Sequence, residues 1–247
     1  MIYFLSDLDD TLLQSKAKCG LPTEECTLRG ITKFGEPQGY STPAQEELLK
    51  MCNENGTLIP VTARNLAAFK RVLIDFKSYA AICHGAIVLN PEGEPCEDWL
   101  KHIEPEVNLY KDLITELHDE LRVLIKDRNC NILMDRVLEE FGVVTCGMFK
   151  TDLETSEQLF HVAETLRERL AEREECADFV VHQNGRHISI LPPYSSKERA
   201  VDFIMTKLNV SEKDLTFGLG DSISDWDFMK KCKFSVIPYK SQLANSF

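Results

Sequence analysis

The sequence predicts an α/β protein, a doubly wound and mostly parallel sheet interrupted by a smaller inserted α+β domain. Three observations carry this. Short apolar runs alternate with amphipathic helical stretches over residues 1–84, and the same alternation resumes over 192–247. Between them, over 85–191, the order changes to helix, strand, strand, and repeats once. A chain of 247 residues with 43% hydrophobic content is long enough for a core domain plus an insert.

Each element has a local reason. Met1–Ser6 reads as a buried strand, closed by an acidic turn. Residues 14–41 are polar and rich in glycine, which predicts a long flap-like loop. Thr42 as N-cap and Pro43 at the first helical position start a helix that stops near Asn55-Gly56. Thr57–Val61 is a second strand, and Thr62–Asn65 leads into a helix ending near Phe76. Ala80–Cys83 is a third strand.

In the insert, Val107, Tyr110, Ile114, Leu117, Leu121, Leu124 and Ile125 share one stripe of a long helix. Strands follow at 132–134 and 143–149, then an amphipathic helix over 157–173. Residues 179–190 predict a hairpin turning at Asn184-Gly185, a pair suited to a type I′ turn. The core pattern returns with a helix over 196–208, a strand over 215–219, a helix from Asp225 and a last strand over 234–237.

Composition narrows the function. A net charge of −12 disfavours nucleic acid as partner, because phosphate backbones are bound by lysine and arginine surfaces. The nine cysteines include no C-x-x-C pair, which predicts reduced thiols rather than a disulfide framework or zinc site. No run approaches the roughly 18 apolar residues of a membrane span. The expectation is a soluble, cytoplasmic protein with no membrane or nucleic-acid partner.

The chemistry is concentrated in Phe4-Leu-Ser-Asp-Leu-Asp-Asp-Thr11. Like charges about 4 Å apart repel by about 4 kcal/mol at an effective dielectric near 20, so three crowded carboxylates call for a cation. An EF-hand loop would need Gly and Glu where Leu12 and Lys18 stand, so that reading fails. In parallel α/β sheets, ligands sit beyond the carboxyl ends of the strands. Asp7, Thr62 and Asp221 each follow a predicted strand, and Lys197 opens the helix after the insert.

Asp7-Leu-Asp-Asp-Thr11, Thr62-Ala-Arg64, Lys197 and Gly220-Asp-Ser-Ile-Ser-Asp225 resemble, in order, the four motifs of the haloacid dehalogenase-like superfamily. The insert between the second and third motifs looks like a C2B-type cap. Such caps occur in Cof-like, sucrose-phosphate and trehalose-phosphate phosphatases, and Cys83-His-Gly-Ala86 resembles the Cof-like cap entry. The resemblance implies a phosphatase with Asp7 as nucleophile, Asp9 as general acid and base, and Thr62 and Lys197 holding the phosphoryl group. It further implies Mg²⁺ held by Asp7, Asp9 (through its backbone carbonyl) and Asp221, with Asp225 supporting the metal shell or orienting Lys197. The implied substrate is a sugar phosphate or similar small phosphorylated metabolite. A phosphomannomutase-like phosphotransferase is the alternative, and a non-enzymatic relative retaining the fold is a further one.

Ser224 departs from the Asn usual in Cof-like members. Arg64, Asn65, His84, Arg186 and Ser224 are candidate substrate contacts beside Thr62 and Lys197, with His182 and His187 on the same hairpin as Arg186.

Overall fold

The computed structural model describes residues 1–246 and divides into two compact units. One comprises Met1–Trp99 and the segment from Ser196 onward; the other is Leu100–Ser195.

The first unit opens with β1 (Ile2–Ser6), whose Leu5 and Ser6 are fully buried. The predicted flap is in fact structured: β2 (Gln14–Ser15), β3 (Thr27–Ile31) and β4 (Pro37–Ser41) form an antiparallel sheet in the order β2-β4-β3. Glycine, which made this stretch read as a loop, is what allows the pairing. Gly30 lies opposite Gly39, and a Cβ on Gly39 would meet Leu13 Cδ1 at 2.9 Å.

Next come α1 (Pro43–Asn55), held by a capping box between Thr42 and Gln45, and β5 (Thr57–Pro60). The helix predicted to reach Phe76 is only the short α2 (Leu66–Phe69). Beyond it, backbone donors and acceptors are taken up by β3: Leu73 N donates to Arg29 O at 2.8 Å and Ile31 N to Arg71 O at 3.1 Å. Long-range pairing outweighs helix propensity there.

β6 (Ala80–Ile82) pairs antiparallel with β7 (Ile87–Leu89). This moves the boundary expected at residue 85. Residues 85–99 pack within the first unit, where Trp99 is fully buried, donates from Nε1 to Ala86 O at 2.9 Å, and tilts against Phe203.

The second unit has the expected helix-strand-strand order, twice. It comprises α3 (Glu97–Asp127) from Leu100 onward, β8 (Ile132–Glu140), β9 (Val143–Thr151), α4 (Gln158–Ala171), β10 (Val180–Asn184) and β11 (His187–Leu191). Its four strands form an antiparallel sheet in the order β10-β11-β9-β8. Asn184 pairs with His187, so the hairpin turns on Gly185-Arg186 rather than Asn184-Gly185. A type I′ turn needs positive φ at both central residues, and of these two only Gly185 has it, at 54°.

The first unit resumes with α5 (Lys197–Lys207), β12 (Leu215–Leu219), α6 (Trp226–Met229) and β13 (Phe234–Val236). Its main sheet is parallel, in the order β13-β12-β1-β5. Phe4, Leu8, Leu12, Leu49, Leu58 and Leu219 form a buried cluster on it. Each large side chain there contributes about 1.5–3 kcal/mol through removal from water. All nine cysteines are free thiols, and among the described residues no helix is long and apolar enough to cross a membrane.

Candidate active site

The parallel register brings the carboxyl ends of β1, β5 and β12 to one edge. Asp7 follows β1 directly, and its N donates to Leu219 O at 2.8 Å; Val61 N donates to Ser6 O at 2.8 Å. Thr62, Asp7 and Asp221 are thereby fixed at neighbouring strand ends. Two glycines bring in the remaining groups. Gly85, at φ 92°, lies so close to α5 that a Cβ would meet Ser196 O at 2.2 Å. A Cβ on Gly220 would meet Asp225 Cβ at 2.5 Å.

Lys197 joins two acids. Its Nζ donates to Asp7 Oδ1 at 2.7 Å and to Asp225 Oδ1 at 2.5 Å, and all three side chains are buried. Burial alone would lower the Lys197 ammonium, but the Asp7 and Asp225 carboxylates outweigh it and hold it above the ordinary lysine value. Burial pushes the Asp7 carboxyl well up; the Lys197 ammonium pulls against this, and Asp225 adds to the rise. The other oxygen of Asp225 accepts from Asp221 N at 3.2 Å, Ser222 N at 3.0 Å and Ser222 Oγ at 2.8 Å. With both oxygens engaged, Asp225 anchors Lys197 and the loop around Asp221. Ser224 shares a hydroxyl contact with Ser222 at 2.7 Å.

Among the described residues, Asp221 has no cation hydrogen-bonded to it. Burial, with Asp225 and Asp10 nearby, pushes its carboxyl up to about 7 against the pull of Lys197 and Lys18. Carboxylate oxygens of Asp7, Asp221 and Asp225 all lie within 4.8 Å of one another. Around this edge five carboxylates (Asp7, Asp9, Asp10, Asp221 and Asp225) face three cations (Lys18, Arg64 and Lys197), a deficit of two positive charges. A hard divalent cation with oxygen ligands fits both the donor set and the deficit.

Asp9 points differently from Asp7. Its side chain is 53% exposed and held by Arg64, with Nε on Oδ2 at 2.7 Å and a terminal nitrogen on Oδ1 at 2.6 Å. Asp10, at φ 62°, turns the chain and forms an ion pair with Lys18. Thr62 is 1% exposed and accepts Arg64 N at 3.2 Å through Oγ1. Asn65 caps α2 by accepting Ala68 N at 2.9 Å. His84 is half-buried beside the second motif, its N donating to Thr62 O at 3.1 Å. Arg186 and the flanking His182 and His187 lie on the β10–β11 hairpin of the second unit.

Known proteins share this architecture. A family model described as sucrose-6F-phosphate phosphohydrolase matches residues 151–243. The sucrose-phosphatase of Synechocystis sp. PCC6803, solved with sucrose and phosphate, is similar at 17% identity and TM-score 0.57, covering 99% of this chain and 85% of that one. The trehalose-6-phosphate phosphatase C-terminal domain of C. albicans is similar at 12% identity and TM-score 0.57, covering 93% and 73%. The IMP-nucleotidase of Plasmodium falciparum, bound to IMP, is similar at 10% identity and TM-score 0.63, covering 99% and 66%. No curated protein matches the chain by sequence. The chain has the haloacid dehalogenase-like fold.

Within that fold, three features of the site escape sequence reasoning. The Asp9–Arg64 pair joins residues 55 positions apart. Lys18 lies in a stretch read as loop, yet it meets Asp10. The Thr11 hydroxyl is buried with no hydrogen-bond partner among the described residues. The Thr at the end of the acidic turn was the one available signal.

Proposed function

We propose that the protein is a Mg²⁺-dependent phosphomonoester phosphatase working through an aspartyl-phosphate. The observation that carries this is the buried Asp7–Lys197–Asp225 chain beside Asp221, at the carboxyl edge of a parallel sheet. Asp7 Oδ2, the oxygen not bonded to Lys197, attacks phosphorus. The P–O bond to the alcohol breaks, and Asp9 delivers the proton to the departing oxygen. Asp9 then removes a proton from the water that attacks the phosphoryl group, releasing inorganic phosphate and restoring Asp7. The Lys197 ammonium and the Thr62 hydroxyl stabilise charge on the phosphoryl oxygens.

Asp7, Asp221 and the backbone carbonyl of Asp9 would hold Mg²⁺, with Asp225 acting through Lys197 and the 221–222 backbone. When bound, the ion neutralises the carboxylates and the phosphoryl group so that one anion can approach another. The sucrose-6F-phosphate phosphohydrolase match over 151–243 supports a sugar phosphate as the substrate class. The test is phosphate release from p-nitrophenyl phosphate and a panel of sugar phosphates, with Mg²⁺ and with EDTA. Turnover that needs Mg²⁺ and vanishes in Asp7→Asn is expected. Turnover that survives either change would overturn the assignment.

A further inference from the structure

Of the nine free thiols, those of Cys19 and Cys26 lie within hydrogen-bond reach of one another. They close the two ends of a short loop in the first unit. Cys19 follows a 3-10 turn over Lys16–Lys18, and its Sγ donates to Ser15 O at 3.5 Å. Cys26 follows a second 3-10 turn, Thr23–Glu25, and leads directly into β3. Between the two sulfurs Gly20, Leu21, Pro22, Glu24 and Glu25 are exposed, so no packed element has to move for the ends to join. Gly20, at φ 66°, makes the turn that opens this loop.

Most of the other thiols are shielded. Among the nine, only Cys26 and Cys232 are partly exposed. Burial pushes the Cys232 and Cys146 thiols up to about 12 and that of Cys52 up to about 11, so they carry almost no thiolate at neutral pH. The Cys26 thiol is raised as well, by desolvation first, then by the Cys19 sulfur beside it and by Glu25 and Glu24. This slows Cys26 toward reagents in solution but leaves its neighbour in place. Cys19 is 7% exposed, so an oxidant reaches Cys26 first. Once Cys26 is oxidised, a sulfur already in contact outcompetes any dilute external partner. Glu24 and Glu25 repel anionic oxidants, which makes a small neutral peroxide the fitting one.

We propose that Cys19 and Cys26 form a reversible redox clasp, closed to a disulfide by peroxide and reopened by a dithiol. The Cys26 thiolate attacks one peroxide oxygen, the O–O bond breaks, and hydroxide leaves, giving a sulfenic acid. The Cys19 sulfur then attacks the Cys26 sulfur, the S–O bond breaks, and the hydroxyl departs with the Cys19 proton as water. Two thiols and one hydrogen peroxide thus give one disulfide and two waters. Cys19 is next to Lys18, the cation of Asp10, so the closed clasp fastens the segment that brings this cation to the acidic turn. The chemistry is independent of any turnover at Asp7.

The test treats the full chain with an equimolar amount of hydrogen peroxide in the presence of a chelator. Remaining thiols are blocked with iodoacetamide, and disulfides are mapped by non-reducing peptide mass spectrometry. A Cys19–Cys26 link with the other seven thiols alkylated is expected, and dithiothreitol should restore all nine. The oxidised chain should melt about 5 °C above the reduced one, because a closed loop restricts the unfolded state. Dimedone, which captures sulfenic acids, should label Cys26 in Cys19→Ser and leave wild type almost unlabelled. In Cys26→Ser, Cys19 should remain a thiol. Both cysteines alkylated in wild type, or a link between other cysteines or between two copies, overturns the proposal. So does equal dimedone labelling of wild type and Cys19→Ser, or a melt that oxidation leaves unchanged or lowers. If a variant fails to fold, the wild-type map and melt decide by themselves.

Discussion

Arg64 grips both carboxylate oxygens of Asp9, at 2.7 and 2.6 Å, while Asp7 two residues earlier turns inward to Lys197. One short turn thus gives two of its acids separate partners, each its own cation. Because the Arg64 fork fixes the plane of the Asp9 carboxylate, Arg64→Lys should lower kcat/KM about tenfold and Arg64→Met about a hundredfold. The pair is partly exposed, so the melting temperature should barely move. Steady-state kinetics beside a circular-dichroism melt check both statements. A variant as active as wild type would show the grip to be incidental.

Asp9→Asn separates the two halves of the reaction. The amide cannot take a proton from water, so hydrolysis of the intermediate should slow by about 10²–10⁴-fold while Asp7 still becomes phosphorylated with activated esters. Intact-mass spectrometry after a short incubation should find a phosphoryl adduct in this variant and none in Asp7→Asn. Steady turnover by Asp9→Asn would remove Asp9 from its assigned role.

The shortage of positive charge at the strand ends makes a stability prediction. Asp225 is fully buried with both oxygens bonded, so Asp225→Ala leaves Lys197 with Asp7 alone and strips the 221–222 donors of their acceptor, which should cost about 3–5 kcal/mol. Among the described residues Asp221 has no hydrogen-bonded cation, so Asp221→Asn should leave stability in EDTA equal or higher while abolishing stabilisation by Mg²⁺. Urea unfolding with and without the ion reads both. A large loss for Asp221→Asn in EDTA would contradict the charge accounting.

Acid should weaken the second unit before other parts of its chemistry change. Arg122 and His118 hold the Asp135 carboxyl down to about 2, and burial lowers His118 itself. Both groups are depressed, so each favours the folded state above its unfolded value and loses that contribution as pH falls. The His118 part fades below about 6.5, and the Asp135 part between about 4 and 2. Asp135→Asn should flatten the lower limb of stability against pH, measured by chemical denaturation at a series of pH values.

The sequence carried the strands that position chemistry, because Ile2–Ser6 and Leu215–Leu219 are apolar runs ending in Asp7 and Gly220-Asp221. It carried the insert's order as well, since the stripe from Val107 to Ile125 has an unambiguous helical period. It hid the β3–β4 hairpin, whose glycines look like loop until Gly30 and Gly39 are seen facing each other. The helix after Asn65 failed for a related reason: Leu73 and Arg71 bond to β3, a partner forty residues away that local periodicity cannot report. The Asp9–Arg64 pair was invisible because each residue had a separate reading and nothing in spacing couples them.

Gly85 has a wider meaning. Its backbone touches Ser196, and Ala86 next to it receives the Trp99 indole, so both places where the chain departs for and returns from Leu100–Ser195 are anchored at one knot. Both ends of the excursion are therefore held within the first unit itself. Descendants of this gene can rewrite the stretch between those two ends without untying the knot that closes them.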